Sequence, residues 1–293
     1  MPLASSTPLQ NLPTEQFQQW VSRYWQNMTS NISPLSMGLP WLFGDGTDGD
    51  VILTTGTTTL APFTIKQYRN LQVNSGATIM CSSSPSVLIL YVSQNMLVDG
   101  TITVANAGAA GGVGGIGGIG TYGTANPNGY CGAGGDGGAA AAGFGGGIGG
   151  NTIAAHGAPG NAITTKDVAE FRMLPSKREN FILSWGGGGG GGGSATDNGG
   201  DGGNGGGGIV IFAQSLVVDL GGVISASGGN GHPEVGGGAD AGGGGGGGGG
   251  FIYIVTKSYS NQGSIVAAGG SGGAGHNSGW GGGAGTIIIE VIP

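Results

Sequence analysis

The sequence predicts a mostly β and irregular fold: an N-terminal helix, a series of stacked short β-strands, and a bundle of polyglycine II helices with loops at its tips. Three observations predict it. The chain holds 74 glycines among 293 residues, gathered into excursions at 108–208, 228–250 and 269–285. In Gly111-Gly112-Val113-Gly114-Gly115-Ile116-Gly117-Gly118-Ile119 the apolar residue recurs at every third position, a period of neither an α-helix nor a strand. It is the period of a left-handed helix with three residues per turn, which has no internal hydrogen bonds and must bond sideways to neighbours. Finally, the glycine runs lead into Gly208-Ile209-Val210-Ile211-Phe212, Gly250-Phe251-Ile252-Tyr253-Ile254-Val255 and Gly285-Thr286-Ile287-Ile288-Ile289, which read as short buried strands. A slack linker has no such flanks. The expected division is 1–42 as an N-terminal anchor, 43–107 as the stacked strands, and 108–293 as the glycine-rich part interleaved with strands.

Composition narrows the partners. Charged residues make up 8% of the chain, so stability must come from backbone hydrogen bonds and apolar stacking. A net charge of −7 with eight basic residues argues against nucleic acid. Collagen is excluded by the absence of a strict glycine period and by only 12 prolines. Cys81 and Cys131 are too few and too far apart for a disulfide framework or a metal site, and read as packing thiols. No stretch has the form of a secretion signal and no apolar run is long enough to insert in a membrane. The expectation is synthesis in a cytoplasm and a soluble protein, unless it leaves by lysis or as part of a particle.

Residues 1–13 are rich in Pro and Ser and read as extended. From Thr14 to about Ser30 a helix is predicted, capped by Thr14, with Phe17, Val21, Tyr24 and Met28 on one face and Trp20 and Trp25 widening it. Asn31-Ile32-Ser33-Pro34 stops it. Such an aromatic helix either packs back on its own β domain or anchors the chain to another protein or to copies of itself. Leu42–Asp50 contains three carboxylates, but their spacing lacks the EF-hand's terminal glutamate, so the Asp-Gly pairs are read as turns. Strands are expected over 50–54, 57–59, 71–73, 77–80, 87–92 and 96–104, rich in threonine and β-branched residues. A repeat then appears: Gly100-Thr101-Ile102-Thr103-Val104, Gly222-Val223-Ile224-Ser225-Ala226 and Gly263-Ser264-Ile265-Val266-Ala267. The implied unit is strand, turn, strand, glycine excursion, with successive units stacking and each excursion leaving and returning at one edge.

Excursions 228–250 and 269–285 would be out-and-back pairs of legs, reaching about 25–35 Å at roughly 3.1 Å per residue. Their tips fall at the breaks in glycine, from His232-Pro233-Glu234-Val235 to Asp240 and at His276-Asn277-Ser278-Gly279-Trp280. The long excursion breaks at 121–130, 151–185 and 194–198; with four legs the first and third breaks lie at the far end and the second at the base. The insert at 151–185 holds Lys166, Arg172, Lys177 and Arg178, half the basic residues, and is either a plug on the glycine bundle or a contact for an acidic partner.

Nothing resembles catalytic machinery. His156, His232 and His276 stand in separate breaks without a triad partner or metal-ligand spacing, and the glycine runs lack a phosphate-loop lysine. No catalytic residue, cofactor or metal is expected, and the chain does not read as an enzyme. Loops on a stiff frame suit binding instead. Tyr122, Tyr130, His232, Glu234, His276, Asn277 and Trp280 are the loop residues suited to an interface, with loop packing as the plainer role for each.

The glycine stretches Gly111–Gly120, Gly186–Gly193, Gly199–Gly208 and Gly242–Gly250 resemble those of the distal tail-fibre adhesins of T-even-like bacteriophages, of the Salmonella-infecting kind. Phe43–Asp50 and Leu71–Ala77 look like segments of glycine-rich phage structural proteins. The resemblance implies a polyglycine II sandwich presenting receptor-binding loops at a fibre tip. It also implies attachment to other virion proteins through residues 1–42, with a host-surface protein or glycan as the partner at the loops. A non-adhesive virion component (fibre joint, baseplate or capsid decoration) is the alternative. An ice-binding protein would need a flat, regular face, whereas the threonines cluster at 54–59.

Overall fold

The computed structural model describes residues 40–82, 84–112, 186–192, 198–235 and 241–292. The chain forms two compact units, 1–42 and 43–293. The predicted helix over 14–30 with Phe17, Trp20, Val21, Tyr24, Trp25 and Met28, the insert at 151–185, and Tyr122, Tyr130 and Cys131 lie outside the described residues.

The second unit is built of short strands. They are β1 (Asp50–Leu53), β2 (Gly56–Leu60), β3 (Ile65–Tyr68), β4 (Asn70–Val73), β5 (Ala77–Cys81), β6 (Val87–Val98), β7 (Thr101–Thr103), β8 (Gly208–Val218), β9 (Val223–Ser225), β10 (Phe251–Asn261), β11 (Ser264–Val266) and β12 (Thr286–Val291). Apart from a 3-10 turn over Pro40–Phe43, no helix occurs among the described residues. A first sheet runs β1-β4-β6-β8-β10-β12, with β3 also on β6; a second runs β11-β9-β7-β5-β2. All named pairings are parallel. Parallel neighbours need a return path between them. Here the path runs through the other sheet, so the chain winds in stacked coils. The expected order of strand, turn, strand, excursion is therefore met, in two facing sheets. Strands on either side of residue 108 share both sheets.

The repeated Gly-x-Ile-x-small motif marks the corner and second-sheet strand of each late coil. Ile102, Ile224 and Ile265 fall in register, and Ile79 of β5 joins their row. Opposite them run Leu71, Met96 and Leu216, with Val73, Val98 and Val218 one step on. These residues form the inter-sheet core, each large apolar side chain contributing about 2 kcal/mol on burial. The corner must be glycine: a Cβ on Gly222 would stand 2.1 Å from the Val98 carbonyl oxygen.

The predicted segment 96–104 is split: Met96–Val98 continues the 87–92 segment, and Thr101–Thr103 is β7 in the other sheet, after a bend at Asp99-Gly100; strand β3 carries no sequence signal. Val87–Val92 and Met96–Val98 are a single strand, with a register shift against β8 between Val92 and Asn95. Strand β3, Ile-Lys-Gln-Tyr, has no alternation of apolar and polar residues to mark it. The first six residues of β8 and β10 are buried on both faces, as their unbroken apolar runs require. Beyond Ala213 the pattern in β8 returns to alternation.

Glycine arms leave the second sheet and return to the first. In arm 2, Gly250, Gly247 and Gly244 donate to Ala226, Gly229 and His232. In arm 3, Gly285, Gly282 and Gly279 donate to Ala267, Gly270 and Gly273. In arm 1, Gly186, Gly189 and Gly192 donate to Gly206, Gly203 and Gly200. Between arms, Gly200, Gly203 and Gly206 donate to Gly242, Gly245 and Gly248, while Gly243, Gly246 and Gly249 donate to Asn277, Trp280 and Gly283. Every series advances by three residues. Gly186 sits at the base and Asn198 at the far end; the breaks at 121–130 and 151–185 lie outside the described residues.

The Asp-Gly segment forms turns. Gly44, Gly46 and Gly49 all have a positive φ between 72° and 80°, and this left-handed backbone is suited to glycine. Thr47 N donates to Asp45 Oδ1 and Gly49 N to the Gly46 carbonyl. The next two carboxylates bind the adjoining coil. Asp48 accepts from Gln67 N at 2.7 Å and Lys66 Nζ at 3.1 Å, and Asp50 accepts from Arg69 and Asn70. The Gln67 N–H, then Lys66, lowers the pKa of Asp48; the Arg69 guanidinium, then Asn70, holds Asp50 well below the usual carboxylate range. Depressed folded values mean stability that is fully present above the unfolded pKa of about 3.9 and is lost as pH falls through the folded values. Melting temperature should be level with respect to these groups above about pH 5 and drop in more acid solution. Asp48→Asn together with Asp50→Asn should shrink that acid-side drop; an unchanged profile would refute the assignment.

Candidate functional site

The far end of the arms is where chemically varied residues gather. The frame beneath them is nearly all glycine because there is no room for anything else: a Cβ on Gly189 would meet the Gly245 oxygen at 2.1 Å, and one on Gly244 the Asp201 oxygen at 1.9 Å. Side chains can therefore stand only on the rim and at the turns. Asn198, Asp201 and Asn204 illustrate the rule, being exposed at intervals of three while the glycines between them are buried.

All three arms contribute. Asn198 and Val235 exchange backbone hydrogen bonds of 3.1 and 3.0 Å, tying arm 1 to arm 2. His232 N donates to the Asp201 carbonyl at 2.8 Å, and the His232 ring lies 3.9 Å from the Asp201 carboxylate (Nδ1 to Oδ2), an ion pair whenever the imidazole is protonated. Arms 2 and 3 are tied by Glu234 N donating to the Ala274 carbonyl, and by His276 N donating both to the Ala241 carbonyl and to Glu234 Oε2 at 3.1 Å. Asn277 pairs with Gly242 in an isolated bridge and accepts from Gly243 N. His276 lies at the turn of arm 3, midway between bonded Gly273 and Gly279. Trp280 stands on the returning leg, 60% exposed, with its carbonyl held by Gly246 N. Val235 is 64% exposed beside Asn198.

Of the residues singled out from sequence, His232, Glu234, His276 and Asn277 come together here, and Trp280 lies just down the leg. Asn198, Asp201 and Val235 join them without having been singled out. The period of three would have found the first two, because a polar residue at every third position of a glycine run marks an exposed rim. Val235 carried no such mark.

The arrangement offers two imidazoles, two carboxylates, carboxamides and one indole, with both imidazoles and the indole exposed. It can form directional hydrogen bonds and stack an apolar group on the indole. No group of three or more potential metal ligands occurs among the described residues. Cys81 is buried at the end of β5, and burial pushes its thiol pKa up, leaving it a packing group. No family model, curated protein or solved structure matches the chain.

Proposed function

We propose that this chain is a phage virion protein, a tail-fibre tip adhesin that binds a host cell-surface protein or glycan through the far ends of its glycine arms. In this reading residues 1–42 attach it to other virion proteins, and the arms are bundled polyglycine II helices. Lateral hydrogen bonds that advance by three residues, as a three-residue turn demands, support the second point. The observation that carries the functional reading is the meeting of His232, Glu234, His276 and Asn277, from two arms, above a frame that admits no side chains. A rigid frame lowers the entropic cost of presenting loops to a partner.

Binding of purified protein to host cells is the test. A double variant, Trp280→Ala with His276→Ala, should weaken binding by about 30-fold or more, an indole anchor being worth about 2 kcal/mol or more. Melting should change little, since both side chains are solvent-exposed. Deleting residues 1–30 should abolish incorporation into particles while leaving soluble binding intact. Wild-type protein that enters particles but binds no host cell would instead mark a non-adhesive virion component.

A further inference from the structure

The second sheet presents a face that the arms do not use. Its strands β2, β5, β7, β9 and β11 pair in parallel without a register shift. Thr57, Thr78, Thr101, Val223 and Ser264 therefore form one row across the strands, and Thr59, Met80, Thr103, Ser225 and Val266 form the next. The residues between the rows, Ile79, Ile102 and Ile224, are buried, so both rows point away from the core. The threonines do repeat, then, but across coils, where linear spacing hides it.

The content of the rows is selective. Seven positions carry a hydroxyl, two are valine and one is methionine; none is charged and none is aromatic. Strand propensity favours threonine in either sheet. Yet the first sheet carries Lys66, Gln72, Gln94, Lys257 and Glu290 at half-buried or exposed positions, and the second sheet's rows carry nothing of that kind. Local bonds help to fix two of the hydroxyls: Thr103 Oγ1 accepts from Ala105 N at 3.0 Å, and Ser225 Oγ lies 3.2 Å from Ser227 Oγ.

A neutral array of hydroxyls and methyls in register across five strands, with two of the hydroxyls held by local bonds, offers no charge to attract an ion. Its complement is another two-dimensional array. Strands stand about 4.8 Å apart, and alternate residues along a strand about 6.7 Å apart. Four-coordinate water with O···O of about 2.8 Å places second neighbours about 4.5 Å apart and repeats along the hexagonal axis of ice about every 7.3 Å. The two nets agree to within about a tenth in each direction, and two residues per strand leave little length over which the misfit can grow. A crystalline polysaccharide would call for aromatic platforms, which these rows lack.

We propose that the outward face of the second sheet binds ice. Water ordered between the methyl and hydroxyl rows occupies lattice sites, so the face adsorbs to a growing crystal and halts it locally. This activity is independent of the arm tips.

The experiment uses the full chain and measures thermal hysteresis and inhibition of ice recrystallisation. Wild type is expected to open a gap between freezing and melting and to facet the crystals. Thr101→Tyr, placing a bulky ring mid-row, should reduce the gap several-fold at an unchanged melting temperature of the protein, whereas Thr101→Val should keep most of it. Thr59→Lys, on an edge strand, serves as a second disrupting variant should the tyrosine unfold the chain. Gln72→Ala in the first sheet should have no effect. Absence of hysteresis in wild type, or hysteresis undiminished in folded Thr101→Tyr or Thr59→Lys, would overturn the proposal, as would binding to crystalline cellulose without hysteresis. Loss of cell binding in arm-tip variants leaves it unaffected.

Discussion

Gly247→Ala is expected to destabilise the second unit by about 3 kcal/mol or more, at or beyond the upper end of overpacking costs. The added methyl would stand 2.0 Å from the Asn204 carbonyl oxygen and 2.4 Å from its carbon. Both are backbone atoms of arm 1, so no rotamer change can relieve the contact. Gly247 also donates to Gly229 and accepts from Gly270, and pushing it aside weakens arms 1, 2 and 3 together. Gly281→Ala is the matched control: on an exposed leg of arm 3, its Cβ would meet nothing closer than the Gly270 oxygen at 3.4 Å. Denaturant titration of the two variants should separate them widely. Equal, small effects would mean that the arms are not close-packed, and amide exchange at 200–207 and 242–250 as fast as in an unfolded peptide would say the same.

Phe212→Ala should cost about 3–5 kcal/mol, the range for removing a buried aromatic side chain. Phe212 lies in the part of β8 that is buried on both faces, and it is 1% exposed. Its ring stacks on Tyr91 of β6 at 5.0 Å and 8°, and meets Tyr253 of β10 edge-on at 6.2 Å and 82°. The three aromatics thus form a ladder across neighbouring strands, and truncating the middle one removes both contacts. Phe212→Leu should recover most of the loss. A thermal melt that places Phe212→Ala beside wild type would refute the ladder's contribution.

Much of this architecture is legible in the residues because glycine's constraint and the β pattern are local. The Gly-x-Ile-x-small repeats announce β7, β9 and β11, and runs such as Ile209–Phe212 announce strands covered on both sides. The period of three predicts lateral bonding, which the bonds from Gly186, Gly189 and Gly192 then display. What could not be read is what stacking creates. Thr57, Thr78 and Thr101 become neighbours only once the coils fix their register, and the next partner of Thr101, Val223, stands 122 positions further along the chain. Likewise His276 and Glu234 are brought within hydrogen-bonding distance by two arms whose lengths had to be known first. Strand β3 escaped notice because its half-exposed Lys66 and Gln67 blur any alternation.

The rungs of the arms impose a counting rule on change in this molecule. Arm 2 closes its base between Ala226 and Gly250, arm 3 between Ala267 and Gly285, so the paired positions are 24 and 18 apart in sequence. Both arms have three such rungs, and the extra six residues of arm 2 lie beyond the last of them, between His232 and Gly244, where arm 3 has only Gly273 to Gly279. Lengthening both legs of an arm by three residues keeps every donor opposite its acceptor, whereas adding one or two residues to a leg would turn it by a third of a revolution per residue and aim its amides at the wrong neighbour. Surface variety at the tips can therefore evolve by swapping turn residues freely, but reach can grow or shrink only in quanta.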